Sequence, residues 1–327
     1  MTRMAANKGY VSGLAPQLES FVRQRVARGC WCEGYDDRLR RFDRHCAGVD
    51  PSATTLTQEM VDGWFGQRNT ETPESCYRRT LPSRSFIAFA RERGLTEAVA
   101  PDPRHAKDPV PVPHAFTEGE LARFFQACDS IAVSPFNRSA SAIRKVTCPV
   151  FFRLLYSSGI RTTEARLLMR GDVDLAHGVL DIRRSKGHDQ HYVALHGSMA
   201  SVLRDYDAVA ERLQPGREWF FQSPRGGHYG KRWVGENFRA LWGRANGDGD
   251  HVTAYMLRHN YAVENIMSWD CDPYEAADRL MYLSKSMGHR SIEATLYYFS
   301  IVPALADKML RLTNGSFEAL VPEVWDG

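Results

Sequence analysis

The sequence predicts a mainly α-helical chain in two domains, with one small antiparallel sheet in the second. Three observations predict it. Apolar residues recur at helical spacing through residues 14–93 and again after residue 197. Prolines crowd residues 99–113, where neither a helix nor a strand ladder persists. Between Val173 and Leu195, three short β-type runs are separated by His177-Gly178 and Lys186-Gly187, both turn signals. At 327 residues the chain is long enough for two separate cores.

The first domain is expected at 14–98. Leu18, Phe21, Val22 and Val26 make Leu14–Ala27 an amphipathic helix, and Leu39, Phe42 and Cys46 do the same for Asp36–Cys46. Thr55 and Thr57 are both possible caps for a helix over Thr57–Phe65 that ends near Gly66. A longer helical region, Pro73–Arg93, contains Pro82, which demands a kink or a break. Its second half is basic, carries Phe86, Phe89 and Ala90, and stops at Gly94. Residues 99–113 form a linker bearing Arg104, His105 and Lys107.

The second domain is expected at 114–327. Thr117-Glu118-Gly119-Glu120 is a capping-box pattern for a helix through Ala127. Helical spacing runs from about Ala140 to Ser157, with Pro149 expected to kink or restart it. A short helix from Thr162 to about Met169 precedes strands at 173–175, 179–183 and 191–195. Helices follow at about Gly197–Leu213, Lys231–Ala245, Thr253–Ser268, Pro273–Met287 and Ser291–Tyr298. The tail, residues 302–327, carries Leu305, Met309, Leu310, Leu312, Phe317, Leu320, Val321 and Trp325.

Composition narrows the function less than the motifs do. The net charge is only +3, from 42 Lys+Arg and 39 Asp+Glu. Residues 1–107 carry 17 Lys+Arg against 13 Asp+Glu, and the remainder carries 25 against 26, so positive charge gathers in the first third. Seven scattered cysteines include no Cys-x-x-Cys pair, which points to buried thiols in a reducing compartment. No leader or membrane-spanning run is visible, and the expected location is the cytoplasm. There is no Gly-Lys-Ser/Thr phosphate loop, no zincin motif, no G-x-S-x-G, and no carboxylate cluster suited to a metal-dependent nuclease. No metal and no cofactor is expected.

Five short contexts carry chemistry. Arg161 lies in Gly159-Ile160-Arg161-Thr162-Thr163-Glu164-Ala165, with Glu164 three residues on and able to orient it. Lys186 sits at the tip of a predicted hairpin, beside Arg183 and Arg184. Arg258 lies in Tyr255-Met256-Leu257-Arg258-His259. His289 follows Met287-Gly288, and Tyr298 follows Ser291-Ile292-Glu293-Ala294-Thr295. Breaking a phosphodiester needs cations on the nonbridging oxygens, a proton donor for the leaving oxygen and a placed nucleophile. Arginine suits the first task through its planar fork, and a partly desolvated lysine suits the second.

In this order and context the set resembles the tyrosine recombinase (phage integrase) family of DNA strand-transfer enzymes, over about Val146–Phe299. The resemblance implies a two-domain clamp around double-stranded DNA. The N-terminal helical domain would bind the core site, and the second domain would be catalytic. It implies that Arg161 and Arg258 grip the phosphate, with Glu164 supporting them. On the same resemblance His289 would donate to the phosphate, Lys186 would protonate the leaving 5′ oxygen, and Tyr298 would be the nucleophile. Tyr297 is the competitor for that last role.

Tyr255 departs from the family pattern, which has histidine there. A phenol still donates a hydrogen bond to phosphate but is a poor base near neutral pH. Tyr255 is therefore carried as a site residue whose acid–base role is open. The resemblance further implies a homo-oligomer, tetrameric on paired sites, whose tail docks on a neighbour. With only about 113 residues before the catalytic domain, little room is left for an additional DNA-binding arm. Arg78, Arg79, Arg84, Arg104, Lys107, Arg183 and Arg184 are candidate DNA contacts. Two alternatives remain: a DNA-binding member with weak catalysis, and an enzyme resembling type IB topoisomerases.

Overall fold

Thr57, Thr72 and Thr117 each start a helix by accepting a backbone N–H, and these caps set much of the register of the chain. The computed structural model describes residues 9–31, 33–102, 113–183, 190–247, 251–269 and 273–301. It divides into two compact units, Met1–Pro111 and Val112–Gly327.

The first unit holds α1 (Ala15–Ala27), α2 (Glu33–Val49), α3 (Gln58–Phe65) and α4 (Pro73–Glu92). Its core is aromatic. Phe21 packs edge-on against Phe86 and Phe89, and Phe42 against Trp64 and Phe86. Of the kink or break expected at Pro82, the break does not occur, and α4 continues through it. The ring removes a donor to the Arg78 carbonyl. Tertiary contacts carry the helix across: the buried Trp64 indole donates to Ser83 Oγ (2.9 Å), and that hydroxyl donates to the Thr80 carbonyl (2.9 Å). The unit also takes in residues on both sides of 14–98. Asp43 accepts from the backbone N–H of Val11 (2.6 Å) and Ser12 (3.1 Å), and Gln58 exchanges two hydrogen bonds with the Val99 backbone. The start of the Pro-rich run is thereby pinned to the first unit, and 103–112 lie outside the described residues.

The second unit opens with α5 (Glu118–Asp129) and α6 (Arg138–Ser158). Glu120 and Thr117 form the expected reciprocal cap. Like α4, α6 is continuous through its proline, Pro149, because Phe151 and Phe152 just beyond it are fully buried against Phe124, Phe221 and Phe238. After α7 (Thr162–Leu167) comes a three-stranded antiparallel sheet of β1 (Val173–Asp174), β2 (Val179–Ile182) and β3 (His191–Ala194), in the order β1-β2-β3. The register pairs Val173 with Leu180 and Ile182 with His191. Each strand ends one residue before its predicted boundary.

Then follow α8 (Gly197–Leu213), α9 (Lys231–Asn246), α10 (Met256–Ser268), α11 (Pro273–Ser286) and α12 (Glu293–Ile301). The α10 helix begins three residues later than predicted, with Tyr255 at its N-cap. The α6 helix is the centre of the unit and packs on α5, α8 and α10. Among the described residues no helix is long and apolar enough to cross a membrane. The described cysteines, Cys30, Cys46, Cys76, Cys128 and Cys148, are all free thiols.

Candidate phosphate-binding site

Two glycine corners build the site. Gly159 ends α6 with φ of 64°, in the left-handed region, and a Cβ there would meet the Tyr261 ring at 2.2 Å. Gly288 ends α11 with φ of 63°, and a Cβ there would fall 2.5 Å from the His191 ring on β3. The α11 end is a full Schellman motif, with His289 N–H donating to the Ser284 carbonyl (3.0 Å) and Gly288 N–H to the Lys285 carbonyl (2.9 Å). Each corner turns a main-chain carbonyl toward a guanidinium group.

Arg258, from the first turn of α10, is 2% exposed. It donates to the Gly159 carbonyl and, through Nη2, to the Met287 carbonyl (2.7 Å). Its buried Nε has no partner among the described residues. Arg161, at the N-cap of α7, donates through Nη2 to the Gly288 carbonyl (2.6 Å) and through Nη1 to Glu164 (2.6 Å). The buried Glu164 also accepts from the Arg161 backbone N–H (2.8 Å), so one carboxylate fixes both ends of that residue. The two arginines thus end on adjacent carbonyls, Met287 and Gly288, although 97 positions separate them in the chain. Burial and the Arg161 charge together push the Arg258 pKa down.

His289 lies beside the same turn, with Nδ1 2.6 Å from the hydroxyl of the fully buried Thr295. Burial, then Arg258 and Arg161, lower its pKa to about 4, so it is neutral at pH 7. Tyr298, on α12, is 2% exposed and packs with Ala262, Ile266, Leu283 and Met287. Burial raises its hydroxyl to about 12, while Arg258 and Arg161 pull the other way. Tyr297, the competitor, is only partly buried, and its ring centroid lies 6.1 Å from that of Tyr298. Tyr255 is 46% exposed, and its ring meets His259 edge-on at 4.9 Å. His259 in turn meets the Tyr298 ring at 5.5 Å.

Arg161, Arg258, His289 and Tyr298 are therefore gathered around one turn, with Glu164 on Arg161, while Tyr255 meets this group through the His259 ring. Lys186 lies outside the described residues, as do Arg184, Arg104 and Lys107. Among the basic residues read as DNA contacts, Arg79 is spent internally. It pairs with Glu71 (2.6 Å) at about one-tenth side-chain exposure, and donates to the Trp64 and Gly66 carbonyls. Arg84 donates to the Pro101 carbonyl and lies over the Phe65 ring. Arg78 is exposed beside Glu74, and Arg183 is exposed beside Asp181 (2.6 Å) and Asp172 (3.4 Å). The sequence reading missed Thr295, His259 and His191 as neighbours of the site. The four-residue step from Tyr255 to His259 places both on one face of α10, which was a legible signal. Nothing in the sequence pointed to His191. Among the described residues no group of three or more His, Cys, Asp or Glu could hold a metal ion.

The sequence model of the phage integrase family matches residues 115–303. The provisionally named integrase/recombinase y4rE of Sinorhizobium fredii is 26% identical over 293 residues, covering 88% of this chain and 91% of that one. The tyrosine recombinase XerC of Neisseria meningitidis is 27% identical over 227 residues, covering 68% of this chain and 66% of its own. Among solved structures, XerH bound to its difH substrate is similar with a TM-score of 0.57 at 18% identity, over 86% of this chain and 81% of that one. The Tn1549 transposon integrase in complex with transposon end DNA is similar with a TM-score of 0.60 at 13% identity, over 91% and 99%. At these identities the structural likenesses speak to the fold.

Proposed function

This chain belongs to the phage integrase family, the tyrosine recombinases, and on that premise we propose that it cuts and rejoins duplex DNA at specific sites through a 3′-phosphotyrosine link. The observation that carries this reading is the meeting of Arg161 and Arg258 on the adjacent carbonyls of Met287 and Gly288, beside the Tyr298 ring. Among the described residues Arg161 pairs there with Glu164, and the second guanidinium, Arg258, adds positive charge that suits a phosphodiester anion.

Chemically, the Tyr298 hydroxyl oxygen attacks phosphorus as its proton passes to water, and the bond from phosphorus to the 5′ oxygen breaks. Lys186 gives the departing oxygen its proton. The arginines and His289 hold the nonbridging oxygens, where charge develops in the transition state. The free 5′-hydroxyl of a partner strand then attacks the phosphotyrosine and reverses the step. The energy of the broken bond is kept in the new one, so neither ATP nor a metal is required by the reading. Double-stranded DNA is the partner, bound with strong salt dependence because phosphate contacts release counterions. A tetramer on paired sites and service to a mobile element belong to the same reading.

The test is covalent capture on a pool of nicked, randomised duplexes, read as a denaturant-resistant protein–DNA adduct. Wild type is expected to be captured, Tyr298→Phe to give no adduct, and Tyr297→Phe to react within a few-fold of wild type. Capture of Tyr298→Phe would overturn the assignment. A DNA-binding member with weak catalysis is the second reading, favoured by Tyr255 in place of histidine. Duplex retention without any adduct in wild type would establish it.

A further inference from the structure

His259 follows Arg258 in the chain and contacts two phenol rings. It stands one helical turn beyond Tyr255 on the same face of α10, and the two rings meet edge to face at 4.9 Å with an interplanar angle of 81°. Its ring also meets the Tyr298 ring at 5.5 Å and 67°, again edge to face. His289 also approaches this phenol, its ring 6.4 Å from Tyr298 and inclined by 26°. The phenol at 298 is thus flanked by two imidazoles from different elements. Only one of them, His289, has its Nδ1 spent on a side-chain partner, Thr295. The Nδ1 of His259 is buried and has no partner among the described residues. A half-buried polar ring held against two phenols without a hydrogen bond at that atom is held by its shape.

Resting on the reading of Tyr298 as nucleophile, we propose that His259 is a positioning residue that sets the orientation of the Tyr298 ring and keeps it apart from the Tyr255 ring. Edge-to-face pairs have preferred angles, so a ring wedged between two others fixes both more tightly than aliphatic packing does. A nucleophile displaced by about 1 Å loses on the order of 100-fold in rate. The wedge matters more in this chain because residue 255 is itself a phenol. With a small side chain at 259, the Tyr255 and Tyr298 rings share one gap, and the hydroxyl at 298 loses its single direction. Burial and the Arg258 charge lower the imidazole pKa to about 4, which keeps the wedge uncharged at neutral pH and so avoids a third cation beside the arginines.

The experiment compares wild type, His259→Ala and His259→Phe in two measurements. The first is the single-turnover rate of covalent capture on nicked duplexes recovered with wild type from the randomised pool. The second uses no DNA. It follows the Tyr298 ring-carbon resonance in protein labelled with ¹³C at tyrosine Cζ, assigned by its loss in Tyr298→Phe. We expect His259→Ala to retain duplex affinity, to be captured on the order of 100-fold more slowly, and to shift or broaden the Tyr298 resonance. His259→Phe, which keeps a ring without the nitrogens, is expected to restore the resonance and most of the rate. The proposal is overturned if His259→Ala reacts like wild type, or if the phenylalanine variant restores neither signal. If wild type itself gives no adduct, the reading of the reaction fails, while the resonance alone still decides whether His259 orients Tyr298.

Discussion

Two arginine clusters in the second unit, each built on one buried guanidinium group, differ in one respect that bears on what each can do. Arg217, whose side chain is fully buried, pairs with Asp207 and Glu211, and Arg170 pairs with the same two carboxylates (3.1 and 2.7 Å). Two cations meet two anions, and the network ties α8 to the chain on either side of it. Among the described residues Arg161 pairs with one carboxylate, Glu164, and both arginines also donate to main-chain carbonyls. A carbonyl satisfies a donor without cancelling its charge. The first cluster pairs its charges one for one, while the second, on the proposed function, keeps positive charge for a phosphodiester anion. Burial alone does not separate them, since Arg217 and Arg258 are both nearly inaccessible.

The sharpest way to break this comparison is to remove one arginine from each cluster. Arg258→Ala should slow covalent capture by about 100- to 1,000-fold, the usual cost of losing a donor to a developing charge. Arg217→Ala should instead leave Asp207 and Glu211 under-compensated and cost about 3–5 kcal/mol of stability. Its capture rate per folded molecule should stay that of wild type. Denaturant titration beside single-turnover capture checks both, and a reversed pattern would sink the distinction.

Gly288→Ala comes next in size. The left-handed backbone alone costs about 1–2 kcal/mol for a residue with a Cβ, and the His191 ring must also yield. Because the Gly288 carbonyl holds Arg161, capture should fall along with the melting temperature. A variant that melts earlier but reacts normally would show that the corner only supports the fold.

The smallest effect is with pH. His259 and His289 are both lowered from 6.5 to about 4 by burial and by Arg258. As pH falls through 6.5 the unfolded chain takes up these protons before the native one does. The fold therefore loses stability between about pH 6.5 and 4. His259→Phe removes one of the two groups, so its melting temperature should fall less steeply over that range. Parallel slopes for the two proteins would refute the account.

Much of the fold was legible because helical periodicity and caps are local. The Thr57 and Thr117 caps, the α8 boundaries and the three strands follow from neighbouring residues alone. That α4 and α6 are not broken at Pro82 and Pro149 did not, because whether a proline ends a helix depends on distant contacts such as Trp64 with Ser83. At the site, motif spacing named Arg161, Arg258, His289 and Tyr298 but could not say what aims them. Arg79 illustrates the reverse. Its sequence neighbourhood is merely basic, and only the fold brings Glu71 and two carbonyls around it.

The main-chain bonds at Gly159, Met287 and Gly288 carry a last consequence. A side-chain anchor is lost by changing one letter, whereas a backbone oxygen survives nearly any substitution that keeps the path of the chain. The aim of both guanidinium groups should therefore withstand wide drift at Ile160 or Met287, and fail when a single residue is inserted or deleted at either corner.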